Sequence, residues 1–187
     1  MSDMLGRIRE EQDVFGKLVG KIPGFTGYFD REQRRAADKL LRETVAARYE
    51  EQWRRISALQ RDLISQGGLA QVGVLEAAAL KLRQFIDRIR TASYGYAGFF
   101  DALKIRSNEL ETIYQYDLYL LSLVDAIGRA VDNVEASLGT DGLPAAIHHL
   151  TGLAQDSVEA FQKRSEAIQG GEPPVPAAPA APAAPAA

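Results

Sequence analysis

The feature that most constrains this chain is a run of nine positions, Leu110, Ile113, Asp117, Leu120, Val124, Ile127, Val131, Val134 and Leu138, stepping alternately by three and four residues. Such spacing places every member on one stripe of an α-helix and matches no β-strand period. Between Ile113 and Ile127 the same stretch also carries Tyr114, Tyr116, Leu118, Tyr119, Leu121 and Leu123. A helix apolar nearly all round must be central in its bundle or lie in an oligomer interface.

The rest of the chain supplies partners of the same kind. A first helix is expected over about Ser2 to Gly20, with Leu5, Ile8, Gln12, Phe15, Val19 and Ile22 as its stripe. Gly16 and Gly20 lie four apart on one of its faces, a place for another element to approach closely, and Gly20 with Pro23 ends it. A long second helix is expected from Asp30 to Gln66, with Leu41, Val45, Tyr49, Trp53, Ile56, Leu59 and Leu63 buried. Asp30 and Gln33 have capping-box spacing at its start. Asp38–Arg42, Glu50–Arg54 and Glu51–Arg55 put each acid four residues before its base, the favourable order on a solvated face. A third helix, Ala70 to Thr91, repeats Val72, Leu75, Ala79, Leu82, Ile86 and Ile89, a bundle seam. The fourth begins after Ser107 and continues to about Leu138. The fifth, Leu143 to Ile168, has Pro144 in its first turn and Ile147, Leu150, Ala154, Phe161 and Ile168 inward. The expectation is an all-α, elongated antiparallel bundle of about five helices, two of them very long. It would occupy residues 1–169, with 170–187 as a disordered Pro/Ala tail.

Composition excludes more than it proposes. There is no cysteine, so thiolate metal sites, disulfides and cysteine nucleophiles drop out together. No signal-like apolar run opens the chain, and none is long enough to span a bilayer. The cytoplasm is therefore the expected location. Residues 1–60 hold 12 Lys/Arg and 10 Asp/Glu, whereas residues 107–168 hold 3 and 10. The plain reading is that basic and acidic helices face each other inside the bundle; the sharper one is an acidic surface for a basic partner. No dense basic patch with interleaved aromatics suggests nucleic acid. The two histidines, His148 and His149, are adjacent and lack the Glu-x-x-His spacing of di-metal bundles, so no metal or other cofactor is expected. No phosphate loop or nucleophile elbow is present.

Two connections share a pattern. Gly24-Phe25-Thr26-Gly27-Tyr28-Phe29-Asp30 and Gly95-Tyr96-Ala97-Gly98-Phe99-Phe100-Asp101 both read G-[FY]-x-G-[FY]-F-D. Glycines supply positive φ and close approach, the aromatics need burial, and each Asp can cap the helix that follows. These turns are expected to plug the bundle ends. Convergent turns, an internal duplication and a docking surface are the competing origins.

Asp117 is the exception in the seam. A buried carboxylate must be paired, hydrogen-bonded or neutral. An arginine from the second or third helix, or a tyrosine hydroxyl, is the structural solution, and a small drift of the seam that exposes the carboxylate is another. A ligand-binding or catalytic acid beside Tyr114 and Tyr116 is the functional one. In the tail, Pro176, Pro179, Pro182 and Pro185 have P-x-x-P spacing, which serves a spacer or a ligand for an aromatic groove.

Lys21-Ile22-Pro23-Gly24, Gly27-Tyr28 and the stretch Tyr94 to Asp101 resemble an uncharacterised all-helical prokaryotic family across roughly residues 10–165. That family has no assigned activity, so the resemblance supplies no catalytic residue. Its members' association with band 7-type membrane scaffold proteins implies an assembly role near a membrane. The expected function is a non-enzymatic interaction or scaffold protein that self-associates or docks on a protein partner. A small-ligand binder or enzyme using Asp117 and the neighbouring tyrosines is the alternative. Peripheral membrane association stays open, with no basic amphipathic helix to favour it.

Overall fold

The computed structural model describes residues 13–28, 33–65, 67–92, 107–169, 173, 174 and 176. The chain is an all-α bundle. Five helical segments are described: α1 (residues 13–21), α2 (Arg34–Ser65), α3 (Leu69–Thr91), α4 (Ser107–Ala136) and α5 (Leu143–Ile168). At 1.5 Å per residue, α2 is about 48 Å long. Phe29, Asp30 and the whole second turn, Gly95, Tyr96, Gly98, Phe99, Phe100 and Asp101 included, lie outside the described residues.

Two tight turns build two antiparallel hairpins. Gly67 at φ 79° reverses the chain between α2 and α3, and Gly139 at φ 76° opens the turn between α4 and α5. These are left-handed backbone positions where a Cβ would be strained. The helices pack in the cyclic order α2, α3, α5, α4. Cross-helix pairs set their directions. Arg48, Gln52 and Arg55 of α2 lie opposite Asp125, Gly128 and Asp132 of α4, rising together, so these helices run parallel. Lys81–Gln155 and Phe85–Phe161 show the same for α3 and α5. The bundle is thus two hairpins side by side, antiparallel within each and parallel between them.

The seams bury the expected residues. Leu41, Val45, Tyr49, Ile56, Leu59 and Leu63 of α2 are buried, and Trp53 is half-buried beneath Arg83, whose guanidinium carbon is 5.4 Å from the ring centroid. The α4 seam is buried from Leu110 through Val134, Asp117 included, and Tyr114, Tyr116, Leu121 and Leu123 are buried beside it. The apolar residues of α4 thus turn into the bundle, while Asp125, Arg129, Asp132 and Glu135 are exposed.

Three expectations need correction. In α1 Leu18 is buried, as is Ile22 just past its end, with Phe15 half-buried, while Val19 is exposed. Only one face of this short helix meets the bundle, and the step of three from Phe15 defines it. Among the described residues nothing stands within 4 Å of where a Cβ of Gly16 or Gly20 would be. Arg55 does not pair with Glu51 on its own helix; it reaches Asp132 at 2.5 Å and Glu135 at 3.2 Å on α4. With Lys21 2.7 Å from Asp125, this is a basic side of the bundle meeting acidic α4. Arg48, Arg55, Asp125 and Asp132 line an open groove of about 560 Å³ between α2 and α4.

Candidate functional site

The third correction leads to the most chemically distinctive place in the molecule. Asp38 and Arg42 do not lie on a solvated face. They are 3% and 6% exposed and point into the core one turn before Val45 and Tyr49. Their Arg42 Nε to Asp38 Oδ2 bond of 2.7 Å is one link of a charge chain through the bundle.

The chain runs Arg42, Asp38, Arg164, Asp117. Arg164, on α5 between the buried Phe161 and Ile168, has no exposed surface. Its Nε donates to Asp117 Oδ1 at 2.5 Å, and its Nη2 donates to Asp38 Oδ1 at 2.8 Å and to the Tyr28 hydroxyl at 3.1 Å. The Tyr28 hydroxyl donates in turn to Asp117 Oδ2 at 2.7 Å. Arg42 Nη1 donates to the carbonyl of Ile89 near the end of α3, at 3.2 Å. Two arginines and two aspartates leave the set electrically neutral, the condition under which buried charge is tolerable. The partner of Asp117 is thus an arginine from the fifth helix, rather than the second or third, together with a tyrosine hydroxyl.

Tyr28 reaches this chain because of the turn that carries it. Gly24 and Gly27 have φ of 82° and 79°, and a Cβ on Gly27 would stand 2.7 Å from Phe15 and 2.8 Å from the Tyr114 hydroxyl. Only glycine fits there. The Tyr28 backbone N–H donates to the Tyr114 hydroxyl at 2.7 Å, and the two rings stack with centroids 5.2 Å apart. Phe25 meets both rings edge-on, and Phe15 packs against Phe25 and Tyr114. The turn is an aromatic cluster laid over the polar chain. Tyr116 is not part of it; its hydroxyl points away and donates to the carbonyl of Pro174 at 2.5 Å.

Burial pushes the Asp117 carboxyl above its ordinary value, against the opposing pull of Arg164 and Tyr28. Burial alone would depress Arg164, but Asp117, Tyr28 and Asp38 hold it well above the ordinary arginine value, so it stays charged. Tyr28 is raised by burial and by Asp117, and it remains a phenol that donates. Arg164 Nη1 is the one nitrogen of this guanidinium with no hydrogen-bond partner.

These residues cannot meet a substrate as they stand. Tyr28, Asp117 and Arg164 each have zero exposed surface, and both oxygens of Asp117 are engaged. What the arrangement can do is hold. It joins α2, α3, α4, α5 and the turn before α2 at one level of the bundle. His148 and His149 make no metal cluster with acids among the described residues, and none of the described helices is long and apolar enough to cross a membrane.

The sequence singled out Asp117, Tyr114 and Tyr28, and the structure brings these three together. It leaves out Tyr116 and adds Arg164, Asp38 and Arg42. A second polar contact lies further along the bundle, where the Tyr49 hydroxyl donates to the Leu120 carbonyl at 3.2 Å and sits 3.0 Å from Ser157 Oγ. No family model matches the sequence, and neither a curated protein nor a solved structure matches it significantly.

Proposed function

We propose that the protein is a non-enzymatic interaction or scaffold protein whose contact face is the outer side of α3. The supporting observation is the composition of that side. Leu69, Val74 and Leu80 are 69%, 52% and 60% exposed, and Ala70, Gly73 and Ala77 lie exposed between them. Across Leu69 to Leu80 the single charged residue is Glu76. An exposed helical face of mixed small and large apolar side chains, with Glu76 as its single charge, suits close approach by another helix. Helix α4 buries or half-buries its large apolar residues and exposes the charged Asp125, Arg129, Asp132 and Glu135, so it offers no comparable apolar face.

The closed geometry of Asp117 adds support from the other direction. A carboxylate with both oxygens engaged and no exposed surface serves the bundle, so a ligand site there gains nothing from the geometry. The proposal extends to a place beside a membrane scaffold, which rests on the turn resemblance alone.

The test is sedimentation velocity on the wild-type chain and on Val74→Glu/Leu80→Glu, paired with quantitative pull-downs from the native cell. Self-association or a stoichiometric partner that disappears in the double variant, with helicity retained, is the expected result. A wild-type chain that stays monomeric at all concentrations and retains no partner sinks the proposal.

A further inference from the structure

The buried charge chain opens outward at Arg42. Tyr28, Asp117 and Arg164 have no exposed surface, whereas Arg42 lines a cavity of about 490 Å³ between the start of α2 and the end of α3. Among the described residues Lys39, Glu43 and Arg90 complete the lining. A cavity of this size is ordinary for a small molecule, for which about 300–1,000 Å³ is usual.

A guanidinium carries five N–H donors in a fixed fork. Arg42 commits Nε to Asp38 and Nη1 to the carbonyl of Ile89. Its Nη2 makes no hydrogen bond to any described residue, although the side chain is only 6% exposed. A nearly buried donor without a protein partner calls for an acceptor in the cavity that it lines. The two bonds that Arg42 does make hold the fork still, so little freedom is lost when something binds it.

The surroundings say which kind of acceptor. Lys39 and Arg90 bring two more cations to the same cavity, against the single acid Glu43 among the described residues. Lys39 stands 3.7 Å from Glu43, and Arg90 is paired with Glu50. Lys39 is well exposed and Arg90 partly so, and ion pairs of that kind contribute little and exchange partners readily. A planar guanidinium flanked by movable cations matches a carboxylate or phosphate group.

We propose that this cavity binds the oxyanion group, phosphate or carboxylate, of a small molecule. Arg42 is the fixed donor, and Lys39 and Arg90 close on the anion from either helix. Because the same guanidinium anchors Asp38, a ligand here stabilises the charged end of the folded bundle.

The test titrates the full chain with inorganic phosphate, and separately with acetate, at constant ionic strength balanced by chloride. The readouts are the Arg42 Nε–H resonance and the Tm. A saturating shift and a rise in Tm are expected with at least one of the two anions. Lys39→Gln/Arg90→Gln should weaken that binding about tenfold or more, and Glu43→Gln should tighten it. Neither variant alters a member of the buried chain. Co-sedimentation with phosphatidic-acid vesicles, lost in the double variant, would assign the oxyanion to a lipid headgroup; phosphate binding without it assigns a soluble ligand. No saturating shift with either anion, or one that the double variant leaves unchanged, means an adventitious ion only and overturns the proposal.

Discussion

The two ends of the bundle are held by different physics. At the end where α2 begins and α5 finishes, Asp38, Arg42, Asp117, Arg164 and Tyr28 form a neutral buried chain under an aromatic lid. Towards the other end, Ile56, Leu59, Leu63, Val131, Val134, Ile147 and Leu150 form an apolar interior. Apolar packing gives free energy that depends weakly on direction, and a seam can slide by a turn at modest cost. The charged end cannot slide. Moving α5 by one turn would carry Arg164 about 5.4 Å from both aspartates and leave Arg164 and Asp117 buried without a counter-charge. The apolar half thus supplies stability, and the polar half fixes which helix lies beside which and at what register.

Replacing Arg164 should test that division most severely. Arg164→Met leaves Asp117 and one oxygen of Asp38 without their cation, and a loss of about 3–5 kcal/mol is expected in urea unfolding. Adding Asp117→Leu to it should recover much of the loss, because a wholly apolar pair is often as stable as the ion pair it replaces. No recovery would show that the network contributes stability in its own right. In the apolar half, Leu150→Ala should cost about 2–5 kcal/mol as an ordinary cavity, with α5 register unchanged by cross-linking.

The smallest effect is in the pH dependence. Asp117 binds its proton more tightly folded than unfolded, so folding takes up protons between its ordinary value of 3.8 and its raised folded value. Its contribution to stability is therefore greatest below 3.8 and falls as pH rises through that interval, by no more than about 1.4 kcal/mol per pH unit. The difference between wild type and Asp117→Asn, measured across that interval, should slope in this direction; a flat difference breaks the assignment of Asp117 as the titrating group.

The apolar half was legible in the sequence because spacing alone determines it. The steps of three and four in α2, α3 and α4 named most of the core and the five helices. The polar half was only half legible. Asp117 stood out as an acid inside an apolar seam, but Asp38 and Arg42 have the acid-before-base spacing that also marks a solvated face, and spacing does not distinguish the two. Arg164 left a different trace. The inward residues of α5, Ala154, Phe161 and Ile168, are seven apart, and each gap skips one seam position. The skipped residues are Ser157 and Arg164, the two buried polar side chains of that helix. A missing beat in a heptad seam was the signal. In α1 the descriptive failure was of length: with so few turns, Leu18 and Val19 are equally good continuations of the stripe.

The polar chain also divides cleanly between the hairpins, and this bears on how the molecule assembles. Asp38 and Arg42 belong to the first hairpin, where Arg42 also finds the Ile89 carbonyl; Asp117 and Arg164 belong to the second. Each half can therefore neutralise its own charges before the halves meet. Their encounter then joins two matched dipoles through a single new ionic link, Arg164 to Asp38, and Tyr28 arrives as a latch. No stage of the docking requires a naked charge to leave water, so a network that would be costly to build one residue at a time can form from two prefabricated pieces.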